Sequence, residues 1–429
     1  MSLKSRLFWW LYGIITTIIA PLGMLFLMYK KRRDPPYGKR ACELLGHYHI
    51  GFRNCIWFHT VSVGEAVAAR PLINAFVRRH PKLSVVVTTT TTTGAREILK
   101  IEGITHIFAP LDSPLAVKSF LKNFNPSALF IMETELWPSL LNVTHAHGTK
   151  ICVINARMPE KTCHKYEAKG TLTRDLIANN LDCVICQTQH DADRFARIGV
   201  AKEKLFVSGS LKYDLSPNEP LYRQARALRM PHQEAFVIGA ISTHDGEETL
   251  IIETFFSLKE SFPNLRLVLV PRHQTGVAKA EIFLQDIQGS YALKTNLSPD
   301  LHDFTQDVML GNTMGEIELY LGLSDIVIMG GSFIDIGGHN PLEPAYFSIP
   351  IITGPYYYNF EEQFDTLIEN GAAFVANDHR RLFSVIKMFL DDRELMIATG
   401  MRAFDIQQSG RGATKKTLNI MESCLRVNS

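Results

Sequence analysis

From Cys55 onward, short runs of aliphatic and β-branched residues recur along the chain, each followed by a junction of turn formers and then a stretch of helical length. Ile56-Trp-Phe-His, Leu83-Ser-Val-Val-Val-Thr, Ala128-Leu-Phe-Ile-Met, Ile151-Cys-Val-Ile-Asn and Cys183-Val-Ile-Cys read as strands of a first series. The polar stretch Asp214-Leu-Ser-Pro-Asn-Glu-Pro ends it. A second series follows in Phe236-Val-Ile-Gly-Ala, Leu265-Arg-Leu-Val-Leu-Val, Ile326-Val-Ile-Met and Ile349-Pro-Ile-Ile-Thr. This is the pattern of strand–helix–strand units on a parallel sheet. It predicts an α/β chain of two doubly wound domains, joined near residues 214–232 and facing each other across a cleft. Ligands of doubly wound sheets bind beyond the carboxyl ends of the strands, so chemistry is expected in the loops after each apolar run.

The first residues break this rhythm. Residues 7–29 carry no charge and are long enough to cross a bilayer as a helix. Lys30, Lys31, Arg32 and Arg33 follow directly, against Lys4 and Arg6 on the other flank, so the positive-inside rule keeps the main body in the cytoplasm. A cleavable signal peptide has a shorter apolar core and a small-residue cleavage site. Residues 1–34 are therefore expected to anchor the chain in a membrane. Pro21, with Gly13 and Gly23, leaves open a kinked or interfacial insertion beside a straight span.

Composition narrows the class. A chain of 429 residues exceeds what one hydrophobic core usually organises, and 46% apolar with 21% charged residues is globular. A formal charge of +2 argues against a dedicated nucleic-acid binder. The seven cysteines are odd in number and irregularly spaced, unlike a disulfide framework, which fits a reduced cytoplasmic body. Cys183-Val-Ile-Cys186 has redox or metal spacing, but it sits inside an apolar run and reads as a buried strand.

Several loops carry candidate chemistry. The stretch Ile326–Ala345 runs from a β-branched strand through a glycine-rich loop to Pro341, which suits the first turn of a helix. Such a junction fits a phosphate, and Glu343 can accept hydrogen bonds from sugar hydroxyls, so a nucleotide-sugar pocket is expected here; glycines that merely close a turn are the alternative. Ser62 and Glu65 match a capping box at the start of a helix, and a carboxylate at that junction can equally accept the proton of an attacking hydroxyl. Glu133 and Glu135 follow a buried strand, where in an extended segment they share a face and one pKa is raised. Arg272 and His273 follow another strand and suit a phosphate. The run Ser242-Thr-His-Asp-Gly-Glu-Glu248 resembles a metal cluster, yet Ser242 or Thr243 as N-cap with acids in the first turn explains it without metal. Gly311-Asn-Thr-Met-Gly-Glu316 forms a turn feeding an amphipathic helix that could close one side of a nucleotide pocket. Lys212 ends the first series and could approach a developing negative charge from across the cleft.

Taken in order, Val61-Ser-Val-Gly-Glu, Glu133-Thr-Glu-Leu-Trp-Pro, Asn155-Ala-Arg, Leu211-Lys-Tyr-Asp, Pro271-Arg-His, Thr313-Met-Gly-Glu and Gly337-Gly-His-Asn-Pro-Leu-Glu-Pro resemble the 3-deoxy-D-manno-octulosonic acid (Kdo) transferases of lipopolysaccharide assembly. The resemblance runs from about Trp57 to Phe360. It implies the GT-B fold of two Rossmann-like domains, an acceptor-binding one over 35–215 and a CMP-Kdo-binding one over 225–429. It implies transfer of Kdo from CMP-Kdo to a phosphorylated lipid A precursor, lipid IVA, with inversion of configuration, by an enzyme of the inner membrane whose catalytic body is cytoplasmic. Glu65 falls on the catalytic base, and Glu133 or Glu135 with Lys212 on positions supporting the transition state. Arg272, His273, Thr313, Met314, Gly315, Glu316, Asn340, Pro341, Leu342 and Glu343 fall on CMP-binding segments. No metal is expected, because a leaving group with one phosphate needs less neutralisation than a diphosphate. Lys30 to Arg33, Lys39, Arg40, Arg70, Arg78 and Arg79 are expected near the phosphorylated lipid, with contacts that weaken in salt. Ser210, where the family often has asparagine, and Phe333-Ile-Asp335 depart from the pattern. Two rival readings are a UDP-sugar transferase or epimerase, and a membrane-tethered binding protein without catalysis.

Overall fold

Two parallel sheets, each of seven strands, carry the chain. The computed structural model describes residues 1–30, 40–228, 234–301 and 304–426. Two compact units divide it: Met1–Leu215 with the residues from Gly410 onward, and Ser216–Ser409.

The first sheet contains β1 (Cys55–His59), β2 (Ser84–Thr89), β3 (Ile104–Phe108), β4 (Ala128–Met132), β5 (Lys150–Ala156), β6 (Cys183–Cys186) and β7 (Leu205–Val207). Their order is β3-β2-β1-β4-β5-β6-β7, so growth reverses between β1 and β4. Alternate residues of the same strands feed opposite faces. Trp57, Leu129, Ile131 and Val153 build one core, while Phe58, Phe130 and Ile154 build the other. Burial on both faces is what made these runs continuously apolar in sequence.

The second sheet contains β8 (Phe236–Thr243), β9 (Leu265–Pro271), β10 (Tyr291–Leu293), β11 (Val308–Leu310), β12 (Ile326–Met329), β13 (Ile351–Thr353) and β14 (Ala373–Val375). Its order, β10-β11-β9-β8-β12-β13-β14, reverses between β8 and β12. Again alternate residues separate: Ile238, Ala240, Leu267 and Ile328 face one layer of helices, and Val237, Ile241, Val268 and Val327 the other. Both sheets thus have the doubly wound pattern expected from the alternation of apolar runs.

The chain does not keep its two halves apart in sequence. A second domain over 225–429 was expected, whereas the second unit runs from Ser216 to Ser409. The helix Ala413–Arg426 belongs with the first unit because Met421 and Leu418 bury in the same core as Phe58 and Phe130. Asp214 fastens its start, accepting from the backbone N–H of Gly412 (2.6 Å) and of Thr414. At the other boundary the helix Glu219–Leu228 joins the second unit, where Gly322 lets it approach closely: a Cβ there would lie 2.6 Å from Ala225 Cβ.

The apolar N-terminal segment forms a single helix, Leu3–Lys30, that continues through Pro21. One side rests on the first unit through Trp9, Gly13, Met24 and Leu27. The other exposes Leu7, Trp10, Ile18, Leu22, Leu25 and Phe26. Its length and composition suffice to cross a membrane.

Because Met421 is fully buried, Met421→Ala should destabilise the first unit by about 2–5 kcal/mol through lost burial and a residual cavity. Domain-resolved urea unfolding checks this; a loss confined to the second unit would contradict the placement of the last helix.

Candidate active site

In the first unit the chemistry gathers where the sheet reverses, in the loops after β1 and β4. Ser62 caps the helix Val63–Arg79, and its Oγ accepts from Glu65 N at 3.3 Å. The Glu65 carboxylate answers: Oε1 accepts from Ser62 N (3.1 Å) and Ser62 Oγ (2.8 Å), and Oε2 accepts from Val61 N (2.8 Å). The capping box is therefore formed. A carboxylate oxygen offers two lone pairs, so one on Oε2 remains for another partner. Glu65 is only 6% exposed. Burial pushes its pKa up to about 7 against the lowering by Val61 and Ser62, with Glu133 and Glu135 adding repulsion. A carboxylate poised near neutrality is suited to accept a proton at working pH.

Glu133 and Glu135 do not lie in an extended segment. Glu133 follows β4 at φ 54°, a left-handed conformation, and its N–H donates to Ile154 O at 3.0 Å. The two side chains consequently meet different partners. Glu133 faces Lys212 Nζ at 3.6 Å, and Glu135 accepts from Trp137 Nε1 at 2.7 Å. Burial raises the Glu135 pKa against the lowering by the Trp137 hydrogen bond, with Glu133 adding only a smaller repulsion. Lys212 sits within the first unit beside Glu133. Its short helical turn, Leu211–Asp214, is held by Asn155, also left-handed at φ 51°, whose Oδ1 accepts from Leu211 N at 2.9 Å. Asn155 Nδ2 and Ser210 Oγ are buried there without a partner among the described residues.

In the second unit the loops after β8, β9 and β12 converge in the same way. Arg272 N donates to Thr243 O at 2.8 Å, joining the ends of β8 and β9. The rings of His244 and His273 stand edge to face at 5.4 Å between centroids, and His244 Nε2 lies 3.0 Å from His339 Nε2. Burial lowers the His339 pKa to about 4, with His244, Arg272 and His273 adding to the shift. Cationic and proton-donating groups are thus gathered at the carboxyl ends of three strands, an environment that favours an anion.

The glycine-rich loop is fixed by Glu247. Its Oε2 accepts from His244 N and Gly331 N, both at 2.7 Å, and its Oε1 from Ser332 N (2.9 Å) and Phe333 N (2.8 Å). All four lone pairs of a fully buried carboxylate are satisfied by backbone. Gly330 is required for the approach, since a Cβ there would lie 2.4 Å from Ser242 O. Beyond the loop, Asn340 Oδ1 accepts from Leu342 N at 3.1 Å and its Nδ2 lies 3.4 Å from Glu343 Oε1. Burial raises the Glu343 pKa to about 7. Thr313 Oγ1 bonds both Glu316 Oε2 and Tyr320 OH, Gly315 turns at φ 81°, and Met314 is 71% exposed.

A family model for 3-deoxy-D-manno-octulosonic-acid transferase (Kdo transferase) matches residues 35–215. A 3-deoxy-D-manno-octulosonic acid transferase of Haemophilus influenzae is 32% identical over 426 residues, 97% of this chain and 99% of its own. The chain belongs to the Kdo transferase family. A relative of the same description from Bordetella pertussis is 32% identical and covers 86% of this chain and 87% of its own. Among solved structures, a glycosyltransferase of Rickettsia africae matches with a TM-score of 0.59 at 14% identity, covering 88% of this chain and 100% of that one. That likeness concerns the fold, which is GT-B. As a Kdo transferase the protein is an enzyme, a glycosyltransferase acting in lipopolysaccharide biosynthesis.

Several expectations for this Kdo transferase need correction. Neither Ser242 nor Thr243 caps the helix Glu247–Lys259; Gly246 does, at φ 102°, while Ser242 is left-handed and Thr243 Oγ1 bonds Glu248 Oε1 at 2.9 Å. The helix after Pro341 spans only Leu342–Tyr346, and Pro341 is its N-cap rather than its first residue. The helix Ile317–Leu323 is buried from Leu319 through Leu323 rather than amphipathic. Of the expected lipid-facing cations, Arg40 pairs with Glu43 at 2.7 Å, Arg70 with Glu97 at 2.9 Å and Arg79 with Glu422 at 3.0 Å. Arg78 is exposed; Lys31, Arg32, Arg33 and Lys39, with the side chain of Lys30, lie outside the described residues. His244, Glu247 and His339 were missed as site residues. Apart from the local bond of His244 N to Glu247 Oε2, their contacts join loops far apart in sequence, which no local spacing signals.

Glu247→Ala should leave four buried or half-buried backbone donors unpaired and destabilise the second unit by about 3 kcal/mol or more. Glu247→Gln, with one acceptor oxygen and an amide facing two donors, should recover little. Denaturant unfolding measures both; a loss below about 1 kcal/mol would show that the loop does not depend on this carboxylate.

Proposed function

We propose that the enzyme transfers Kdo from CMP-Kdo to a phosphorylated lipid A precursor of the lipid IVA type, inverting the anomeric configuration without a metal ion. The single observation that carries this reading is the convergence of Arg272, His273, His244 and His339 at the reversal point of the second sheet. A sugar nucleotide with one phosphate and a sugar carboxylate matches such a cluster. Arg272 offers a forked contact to the phosphate, and the histidines supply further donors. Asn340 to Glu343 and Thr313 to Glu316 are assigned to the cytidine and ribose. A Glu343 carboxyl near neutrality can donate to one sugar hydroxyl or accept from it.

The first unit is assigned to the acceptor. Glu65 Oε2 takes the proton of the attacking hydroxyl, the hydroxyl oxygen bonds to the anomeric carbon, and the bonding pair of the departing C–O bond leaves with the phosphate of CMP. Attack opposite the leaving group inverts the centre. Glu133 is assigned to stabilising positive charge on the sugar ring, a role supported by its pairing with Lys212 at 3.6 Å. Glu135, bonded to Trp137, orients the loop that carries Glu133. The exposed apolar side of the N-terminal helix would enter the cytoplasmic leaflet of the inner membrane, keeping the first unit near its lipid acceptor.

Glu65→Gln and Glu65→Ala should each lower turnover by about a hundred- to ten-thousand-fold while CMP affinity is retained. The alanine variant should also lose about 1 kcal/mol of stability with its cap. Turnover should rise with pH through about 7 as the wild-type carboxyl ionises. Unaltered turnover in the glutamine variant removes Glu65 from this role. The assay mixes CMP-Kdo with a tetra-acylated disaccharide lipid and weighs the products.

Arg272→Ala should weaken CMP binding by about ten- to a hundred-fold, as expected for a charge-assisted hydrogen bond. Calorimetry with CMP and UDP tests the donor at the same time. Tight binding of UDP with indifference to CMP would overturn the assignment.

A further inference from the structure

Three thiols meet in the first unit, away from the loops that carry the chemistry. Cys152 is the third residue of β5 and Cys183 the first of β6, and the two are paired in register across the sheet. Cys424 comes down on them from the helix Ala413–Arg426. The three Sγ atoms all lie within 4.8 Å of one another. Cys183 and Cys186, the pair with suggestive spacing, do not combine: they fall into the cores on opposite faces of the sheet, as residues three apart on a strand must.

Geometry decides whether a cation fits. A triangle of sulfurs with edges of 4.8 Å has its centre about 2.8 Å from each atom, and a zinc–thiolate bond is about 2.3 Å. At tetrahedral angles such bonds put each sulfur about 2.2 Å from the centre of the triangle, so each must move inward by at most about 0.6 Å, which a change of side-chain torsion supplies. An all-sulfur donor set selects a soft or borderline d10 cation over magnesium or calcium. Charge then favours the divalent ion. Three thiolates around Zn2+ leave one net negative charge, and Lys150, two residues before Cys152 and so on the same face of β5, offers the compensating positive charge. Lys150 Nζ also lies 3.6 Å from Asp182 Oδ1. Cys424 is half-buried, so water can reach the fourth position of a tetrahedral ion past this side.

We propose that Cys152, Cys183 and Cys424 form a three-thiolate zinc site that clamps the last helix to the first sheet. Binding releases three protons to solvent and makes three Zn–S bonds, with no change of oxidation state. Its role is structural, and it is independent of the donor and acceptor assignments. The helix it would secure is the one that returns to the first unit after the second is complete, so the clamp ties the two sequence segments of that unit together.

The test uses the full chain, reduced and metal-free, in detergent. Zn2+ titrated against a chromophoric chelator should bind at one equivalent, and Co2+ should give an intense sulfur-to-cobalt charge-transfer band. Cys424→Ser, which alters a half-exposed position and leaves both strands intact, should weaken Zn2+ by at least about 100-fold, the upper end of what outer-shell losses alone cost. Zn2+ should raise the unfolding temperature of the wild type and not of Cys424→Ser. Cys42→Ser, which removes the exposed thiol, should change nothing. Absence of one-equivalent binding, binding that survives Cys424→Ser, or binding lost instead with Cys42 would each overturn the proposal.

Discussion

A parallel sheet that grows outward in both directions from its first strand must part its crossovers at one point, and the candidate site residues of both units gather at that gap. In the first sheet the order turns between β1 and β4, and Glu65 and Glu133 stand on the loops that leave those two strands. In the second it turns between β8 and β12, and the loops bearing His244 and His339 leave those strands. The same topological constraint therefore gathers both sets of candidate residues, once around carboxylates and once around Arg272 and three histidines. The residues differ because the loops differ, while the scaffold that presents them is repeated.

Turning loops into sites takes buried polar groups that fix backbone rather than touch substrate. Glu247 does this for the glycine-rich loop, binding four N–H groups with one carboxylate. Asn155 does it for Lys212, through a single 2.9 Å bond to Leu211 N from a left-handed backbone. Glu247 is tolerated in the interior because every bond it makes replaces one that the loop would otherwise take from water, whereas Asn155 satisfies its Oδ1 and leaves Nδ2 without a partner among the described residues. Left-handed Glu133 follows β4, while left-handed Asn155 and Ser242 are the penultimate residues of β5 and β8, where the pairing register shifts.

This explains how much was legible in the sequence. Strands buried on both faces announce themselves as continuous apolar runs, so the two doubly wound units and the strand–loop–helix character of residues 326–345 could be read directly. The capping box at Ser62 and Glu65 follows a three-residue spacing and was equally readable. Strands of three residues, such as β7, β10 and β14, are too short for a pattern to emerge. Long-range choices were invisible for a different reason. Nothing local distinguishes Met421 as a side chain of the first unit, or Glu247 as a partner of Gly331 rather than of its own helix. The partner in each case is supplied by a segment dozens or hundreds of residues away.

Glu65 shows why capping and proton transfer need not compete. A cap requires acceptor oxygens aimed at the helix start, and a base requires an oxygen whose proton affinity lies near the working pH. Hydrogen bonds from Val61 and Ser62 hold the carboxylate in place but lower its pKa, which alone would make it a poor base. Burial opposes them and is the larger effect, with the negative charges of Glu133 and Glu135 pushing in the same direction. The cap thus supplies orientation and the surroundings supply basicity. Moving Glu65 to solvent would leave the helix capped and the carboxyl ordinary, so the catalytic assignment rests on its burial beside two other acids more than on its place in the capping motif.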